Sequence, residues 1–426
     1  MIGDRIRGRF SLMSESSADD TLPSGDGNAP EMKLLIYSHF FAPSIGGVEN
    51  AVQSLAGGLL ALPAPQGSRE FDVTVVTQTA RGEVDDAAYP FLVLRQPSLI
   101  RLWQAIREAD VIHIAGPALL PMILGFLARR PVVIEHHGYQ AICPNGLLLH
   151  QPDGSICPGH FQAKHYGECW RCQRSEISPL PTFISLLLLF PRRWLSRKAA
   201  ANLAISHHVM ARHALPRSSV LYYGIDDPLG ERSLFSPPLD AAARLCFAYV
   251  GRFVTEKGIP ILLQAAAILR NEAREFEVRL IGDGPLRPEL EALITQNGLA
   301  SCARITGYLT GARLAEALRD VRVVVMPSVW EETAGLAAME QMMRGRLVIA
   351  SKIGGLAEVV DEAGLTFPAG DAQALADCML KVLQDPSIIE SIGRTARDRA
   401  LRFFRRERMI DAHERIYHEL SNATKV

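Results

Sequence analysis

Leu245-Cys246-Phe247-Ala248-Tyr249-Val250-Gly251-Arg252-Phe253-Val254-Thr255-Glu256-Lys257-Gly258 decides the fold. Six apolar or small residues in a row suit a strand covered on both faces, the usual state of a strand in a parallel sheet. Glycine ends the run, and a helical apolar period follows over 260–271. In open α/β sheets ligands sit beyond the carboxyl ends of strands. Arg252 and Lys257 lie in that position, five residues apart. A planar guanidinium fork and a point charge there can clamp a diphosphate, although a solvated turn can carry the same charges.

Further strands are expected at 278–281, 303–306, 321–326 and 347–350, and a helix at 287–297. The first half repeats the alternation, with strands at 33–38, 72–77, 91–95, 110–114, 131–135 and 202–206. Strand–helix alternation implies an α/β protein with parallel sheets. The prolines Pro228, Pro237 and Pro238 mark 226–240 as a linker. The expected organisation is a disordered tail 1–30, a Rossmann-like domain 31–225 with a cysteine-rich insertion 143–172, the linker, a second Rossmann-like domain 241–400, and a C-terminal helix or helix pair, 401–426, that packs back toward the first domain.

Composition narrows the function. Of 426 residues, 45 are basic and 46 acidic, which argues against nucleic-acid binding. The longest apolar run, 183–190, is well below the roughly 20 residues of a membrane span. The polar N-terminus lacks the apolar core of a signal peptide, and the expected location is cytoplasmic. Arg192, Arg193, Trp194, Arg197 and Lys198 follow the apolar run. They suit peripheral contact with an anionic membrane face, such as the cytoplasmic side of an inner membrane. A buried helix is the alternative.

Two more segments carry candidate chemistry. Glu332 and Glu340 flank Gly335, where a helix is expected to begin; its N–H groups attract phosphate, and a carboxylate holds a vicinal diol. Leu280-Ile281-Gly282-Asp283-Gly284-Pro285 is a strand ending in a glycine turn that admits close approach to backbone. In this order the three elements resemble the donor-binding domain of the retaining family 4 glycosyltransferases, which have the GT-B fold of two Rossmann-like domains around a cleft.

The resemblance implies that Arg252 and Lys257 neutralise the donor diphosphate, that Glu332 binds the sugar hydroxyls and that Glu340 holds the ribose. Gly282, Thr333, Ala334 and Gly335 would lie against the donor, and Ser351-Lys352-Ile353-Gly354-Gly355-Leu356-Ala357-Glu358 also follows the family's pattern. Gly46-Gly47 is similar to the family's glycine loop facing donor and acceptor. His137 falls where the family has a histidine near the reacting sugar, and it and Glu332 are the residues the resemblance implies to be catalytic. Gly138 replaces a frequent aspartate, and Tyr223 stands in a linker-entry motif that usually starts with asparagine, which implies altered hydrogen bonding there. His113, His136, His207 and His208 read as structural.

The implied activity is metal-independent, retaining transfer of a hexose-type sugar from a nucleotide diphosphate to a glycan or lipid-linked acceptor in cell-surface polysaccharide or glycolipid assembly, without a catalytic cofactor. The absence of an Asp-x-Asp motif agrees with this. A nucleotide-sugar epimerase of the same fold and an inactive sugar-nucleotide-binding protein are the alternatives.

Four of the seven cysteines, Cys143, Cys157, Cys169 and Cys172, fall in one turn-rich stretch. The pair Cys169-Trp170-Arg171-Cys172 has the bite of a zinc knuckle. A closed structural Zn2+ site is expected, with His150, His160 or His165 able to replace one thiolate. Free thiols, a disulfide or an iron–sulfur cluster are the other outcomes.

Overall fold

The computed structural model describes residues 32–44, 46–62, 70–230, 244–272 and 274–425. The tail 1–30 and linker residues 231–240 lie outside the described residues.

The strands, in chain order, are Met32–Ser38 (β1), Phe71–Thr77 (β2), Leu92–Arg95 (β3), Val111–Ala115 (β4), Val132–His136 (β5), Leu149–His150 (β6), Ser155–Ile156 (β7), Ala201–Ala204 (β8) and Ser218–Val220 (β9). The second half adds Cys246–Val250 (β10), Glu277–Ile281 (β11), Ala303–Gly307 (β12), Val323–Met326 (β13), Leu347–Ser351 (β14) and Leu365–Phe367 (β15). The first sheet has the order β3-β2-β1-β4-β5-β8-β9 and the second β12-β11-β10-β13-β14-β15. Every pairing within both sheets is parallel, and β6 pairs β7 as a small antiparallel hairpin. The protein is thus α/β, with two Rossmann-like domains.

Each sheet reverses its strand order at one place, between β1 and β4 and between β10 and β13. A crevice opens outside the carboxyl ends of strands at such a reversal. Gly46-Gly47 follows β1, residues 251–258 follow β10, and residues 327–335 follow β13. All three candidate loops therefore lie at the two switch points.

The strands are buried because both faces are covered. In β1, six of the seven residues are buried, with only Lys33 exposed. One cluster, including Tyr139, Ile142, Met339, Met342 and Leu356, runs across the seam between the two domains.

The chain crosses between domains twice. Ile225 N–H donates to Phe404 O at 2.7 Å and Arg406 N–H to Ile225 O at 3.2 Å, so the crossings run side by side. Arg397 pairs with Asp227 at 2.9 Å beside them. Here the C-terminal stretch breaks into two helices, Ser387–Phe403 and Arg406–Lys425. The second packs on the first domain, where Met409, Ile410 and Tyr417 join the core of Leu34, Val52, Leu55 and Phe71.

The helix Pro179–Lys198 extends well beyond the apolar run noted above. Its buried residues are Thr182, Leu189, Leu195 and Ser196, whereas Leu180, Phe183, Ile184, Leu187, Leu188 and Trp194 are exposed. A buried helix was one expectation for this segment; most of its apolar surface faces outward instead. Among the described residues no helix is long and apolar enough to cross a membrane.

Candidate active site

The loop after β10 is docked onto the loop after β13. Gly258 has φ +63°, and a Cβ there would sit 2.0 Å from Pro327 O. Only glycine can turn the chain so close to that carbonyl. Val329 N–H donates to Glu256 O at 3.0 Å, and Lys257 Nζ lies 2.6 Å from Glu332 Oε1. Ser328 Oγ donates to the same oxygen at 2.5 Å. Burial alone pushes the Glu332 carboxyl up, but the Lys257 ammonium and these hydrogen bonds outweigh it and hold it below its ordinary value. Glu332 is thus a buried, ionised carboxylate with one oxygen fixed.

The sequence assigned Lys257 to the diphosphate. In the structure its charge is engaged by Glu332, and its ammonium also lies over the Trp330 ring, 5.8 Å from the centroid. Arg252 is exposed and forms no ion pair among the described residues. It is the cation of this pair free to meet an anion.

Gly335 is the N-cap of the helix Leu336–Met343, and Ala334 is buried beneath it. Glu340 lies on this helix, half-buried, and its carboxylate has no hydrogen-bond or salt-bridge partner among the described residues. Burial raises its pKa, opposed only by Arg344. Gly282 serves loop packing: a Cβ there would sit 1.8 Å from Gly251 O.

The first domain closes against these loops. A Cβ on Gly47 would meet Leu336 Cδ2 at 3.1 Å, so Gly46-Gly47 faces the N-terminus of the Glu340 helix directly. Ser206 Oγ donates to Thr333 O at 2.6 Å, and Tyr139 Oη donates to Glu331 O at 2.9 Å. Arg212 pairs with Glu331 at 2.9 Å. Glu358 accepts from His207 N–H and His208 N–H at 2.9 and 3.0 Å, and from Tyr222 Oη. The sequence marked Glu358 as part of a pattern but held no signal for this interdomain clamp.

His137 is placed in the wall. Its side chain is 5% exposed, with Nε2 3.4 Å from Glu135 Oε2. Nδ1 shares a 2.8 Å hydrogen bond with Tyr223 Oη, on which the ring also stacks. The tyrosine at the linker entry is thus the hydrogen-bond partner of His137. Burial lowers the His137 pKa against the pull of Glu135, so the ring is held neutral. Glu135 also faces His113 Nε2 at 3.2 Å, and His113 Nδ1 shares a 2.8 Å bond with Tyr417 Oη from the last helix. His113 and His136, the latter 2.9 Å from Asn202 Oδ1, are buried and hydrogen-bonded.

Cys143, Cys157, Cys169 and Cys172 line one cavity, and all seven cysteines are free thiols. Burial and then its three neighbouring thiols push Cys169 up to about 12.

The family described as Glycosyl transferases group 1 matches residues 244–385. The α-D-kanosaminyltransferase of Streptomyces kanamyceticus is 32% identical over 150 residues, 35% of this chain and 39% of that protein. The D-inositol 3-phosphate glycosyltransferase of Saccharomonospora viridis is 33% identical over 199 residues, 44% of this chain and 45% of that protein. The matched segments therefore span less than half of these relatives. The structure of Anabaena HepE in complex with UDP is 20% identical, with a TM-score of 0.69 over 91% of this chain and 100% of that one. By fold the chain is a GT-B protein, and its second domain carries the match to the group 1 glycosyl transferases.

Proposed function

We propose that the protein is a glycosyltransferase that moves a hexose-type sugar from a nucleotide diphosphate to a glycan or lipid-linked acceptor in cell-surface polysaccharide or glycolipid assembly, with retention and without a catalytic metal. The observation that carries this reading is the pairing of Lys257 with ionised Glu332 beside the helix N-terminus at Gly335, which Gly46-Gly47 faces, with exposed Arg252 on the Lys257 loop and half-buried Glu340 on the helix. The match of residues 244–385 to the family described as Glycosyl transferases group 1, and the fold shared with Anabaena HepE in complex with UDP, support it.

The chemistry follows from the charges. When the bond between the anomeric carbon and the diphosphate breaks, negative charge grows on the departing phosphate. Arg252 and the helix N-terminus stabilise that charge without reorganising. Glu332 accepts hydrogen bonds from the sugar hydroxyls, and Lys257 keeps it ionised. Glu340 accepts from the ribose. The acceptor hydroxyl attacks from the face the diphosphate leaves, and its proton passes to the departing phosphate oxygen. His137, fixed by Tyr223 and Glu135, borders the sugar as a positioning residue.

Contact with a membrane is part of the proposal. The exposed apolar stripe of Pro179–Lys198, ending in exposed Trp194, Arg197 and Lys198, suits the interface of an anionic bilayer at the cytoplasmic face.

A panel of nucleotide sugars screened by thermal shift should single out a donor, because a ligand of the native state stabilises it by mass action. With that donor and a lipid-linked acceptor, NMR should find the anomeric configuration of the donor in the product. An inverted product sinks retention, and rearranged donor without transfer favours an epimerase. Flotation with anionic vesicles should recover the protein; no recovery with any vesicle removes the membrane contact.

A further inference from the structure

The segment between β5 and the helix Pro179–Lys198 is poorly equipped to hold its own shape. Its regular structure is the two-residue strands β6 and β7 and the helix Tyr166–Arg174. Gly146, Leu148, Gly154, Gly159 and Lys164 all have positive φ, so the backbone turns repeatedly. Its first turn, with Tyr139, Ile142, Cys143 and Leu148, joins the interdomain core, but beyond Leu148 the buried apolar cluster holds only Phe161, Cys169 and Leu189 among the described residues, with Leu186 at its edge. A segment of this kind needs a cross-link to stay in one conformation.

The cross-link is available in the thiols. Cys169 and Cys172 stand three residues apart on the helix Tyr166–Arg174, one turn above the other on its buried face. Cys143 ends the turn after β5. Cys157 directly follows β7, with its N–H on Leu148 O at 2.8 Å. Three separate chain excursions thus line one cavity of about 20 Å³ with the four cysteines, whose sulfurs must still draw together to reach one ion. The cavity has room for a single water-sized occupant. Amide donors face one sulfur: Gln151 N–H lies 3.4 Å and Asn145 Nδ2 3.8 Å from Cys172 Sγ. Such N–H···S contacts orient and stabilise a thiolate ligand. His150 and His160 border the same cavity, and His150 Nε2 is buried without a hydrogen-bond partner.

We propose that Cys143, Cys157, Cys169 and Cys172 bind one Zn2+ as a closed, structural site. Four thiols give up their protons to solvent as they bind, and the sulfurs close to about 2.3 Å from the ion. With every position filled by sulfur, the ion has no open site for water or substrate. Its effect reaches the sugar site through contacts already present. Cys157 O accepts from Arg212, Arg212 pairs with Glu331, and Tyr139 Oη donates to Glu331 O. Glu331 immediately precedes Glu332, so the metal anchors the rim that holds the catalytic loop.

The full chain, purified without a histidine tag from zinc-replete cells, should contain about one zinc per chain. Cys157→Ser and Cys172→Ser should each lose most of it, while Cys302→Ser, in the second domain, should keep it. Removing zinc with a chelator should open 144–165 to proteolysis, and restoring zinc should close it. The wild-type measurements decide the matter even if the serine variants fold poorly. Protein free of metal, with all four thiols reacting freely in the native state, overturns the proposal. So does iron with acid-labile sulfide, which means a cluster, or a disulfide found by mass spectrometry. None of these outcomes depends on the nature of the transferred sugar.

Discussion

The two domains share a topology but build their halves of the site differently. In the second domain, backbone places the chemistry. The loops after β10, β11 and β13 lock together because glycines let carbonyls approach where any side chain would collide, as Gly258 does against Pro327 O. In the first domain, side chains from distant parts of the chain place it. His137 is oriented by Tyr223 and Glu135, and Glu135 reaches the last helix through His113 and Tyr417. A backbone-built site fixes both composition and spacing over a short stretch. A network-built site fixes neither, because each partner can be exchanged along with its neighbour. The match of residues 244–385 to a family falls on the backbone-built half.

The widest separation between the halves should come from Glu332→Gln. Loss of the charge weakens the sugar contacts and leaves the Lys257 ammonium unpaired at the point of reaction. Turnover should fall on the order of 10²–10³-fold, the scale of losing one preorganised electrostatic group. Affinity for the free nucleotide diphosphate should change by less than about threefold. A variant that loses both equally would mean that Glu332 serves the loop rather than the sugar.

Arg252→Ala should come next. A charge-assisted hydrogen bond is worth about 1.5–3 kcal/mol, so nucleotide diphosphate affinity should drop tenfold or more on that scale. Because Arg252 is exposed, the difference from wild type should shrink as salt rises. Calorimetry at two ionic strengths checks both. An unchanged affinity would move the clamp to Lys257 and imply that its pairing with Glu332 breaks when the donor arrives.

Glu340→Gln should act on the nucleotide alone, with a loss of about 0.5–1.5 kcal/mol and little change in saturated turnover. Burial raises the Glu340 pKa, so its carboxylate takes up a proton at a higher pH than an ordinary glutamate does. Wild-type nucleotide affinity should therefore fall as pH drops through and just above the usual carboxylate range, and the variant should lack that component. Identical pH profiles would remove Glu340 from the ribose.

How much of this was legible follows the same division. The strand read at 245–250 is β10, less one residue, and of the glutamates and cations singled out Lys257 and Glu332 stand in contact. Their mutual pairing did not show, because Lys257 and Glu332 are 75 residues apart. The edge strands β9 and β15 went unread: three residues are too few to display a period. The helix Pro179–Lys198 was visible only as its apolar run, since Pro191 sits inside it and its exposed face carries the apolar residues. His113 read as a structural histidine, but its partner Tyr417 is 304 residues away, and no local pattern could nominate it.

That pair supplies the change with the least effect on donor binding. Tyr417 is fully buried, and its hydroxyl is the partner of His113 Nδ1. Tyr417→Phe keeps the ring packed against Phe71 and His413 but leaves that nitrogen unpartnered, at a cost of about 1–3 kcal/mol. The loss should appear in denaturant unfolding as a lower midpoint with an unchanged slope. Nucleotide diphosphate affinity should stay at the wild-type value, because Arg252 and Glu340 belong to the other domain. A fall in turnover without a fall in nucleotide affinity would trace the path from Tyr417 through His113 and Glu135 to His137, making the last helix part of the acceptor side. A fall in nucleotide affinity would break the contrast between the domains, since the buried network would then govern the backbone-built half as well.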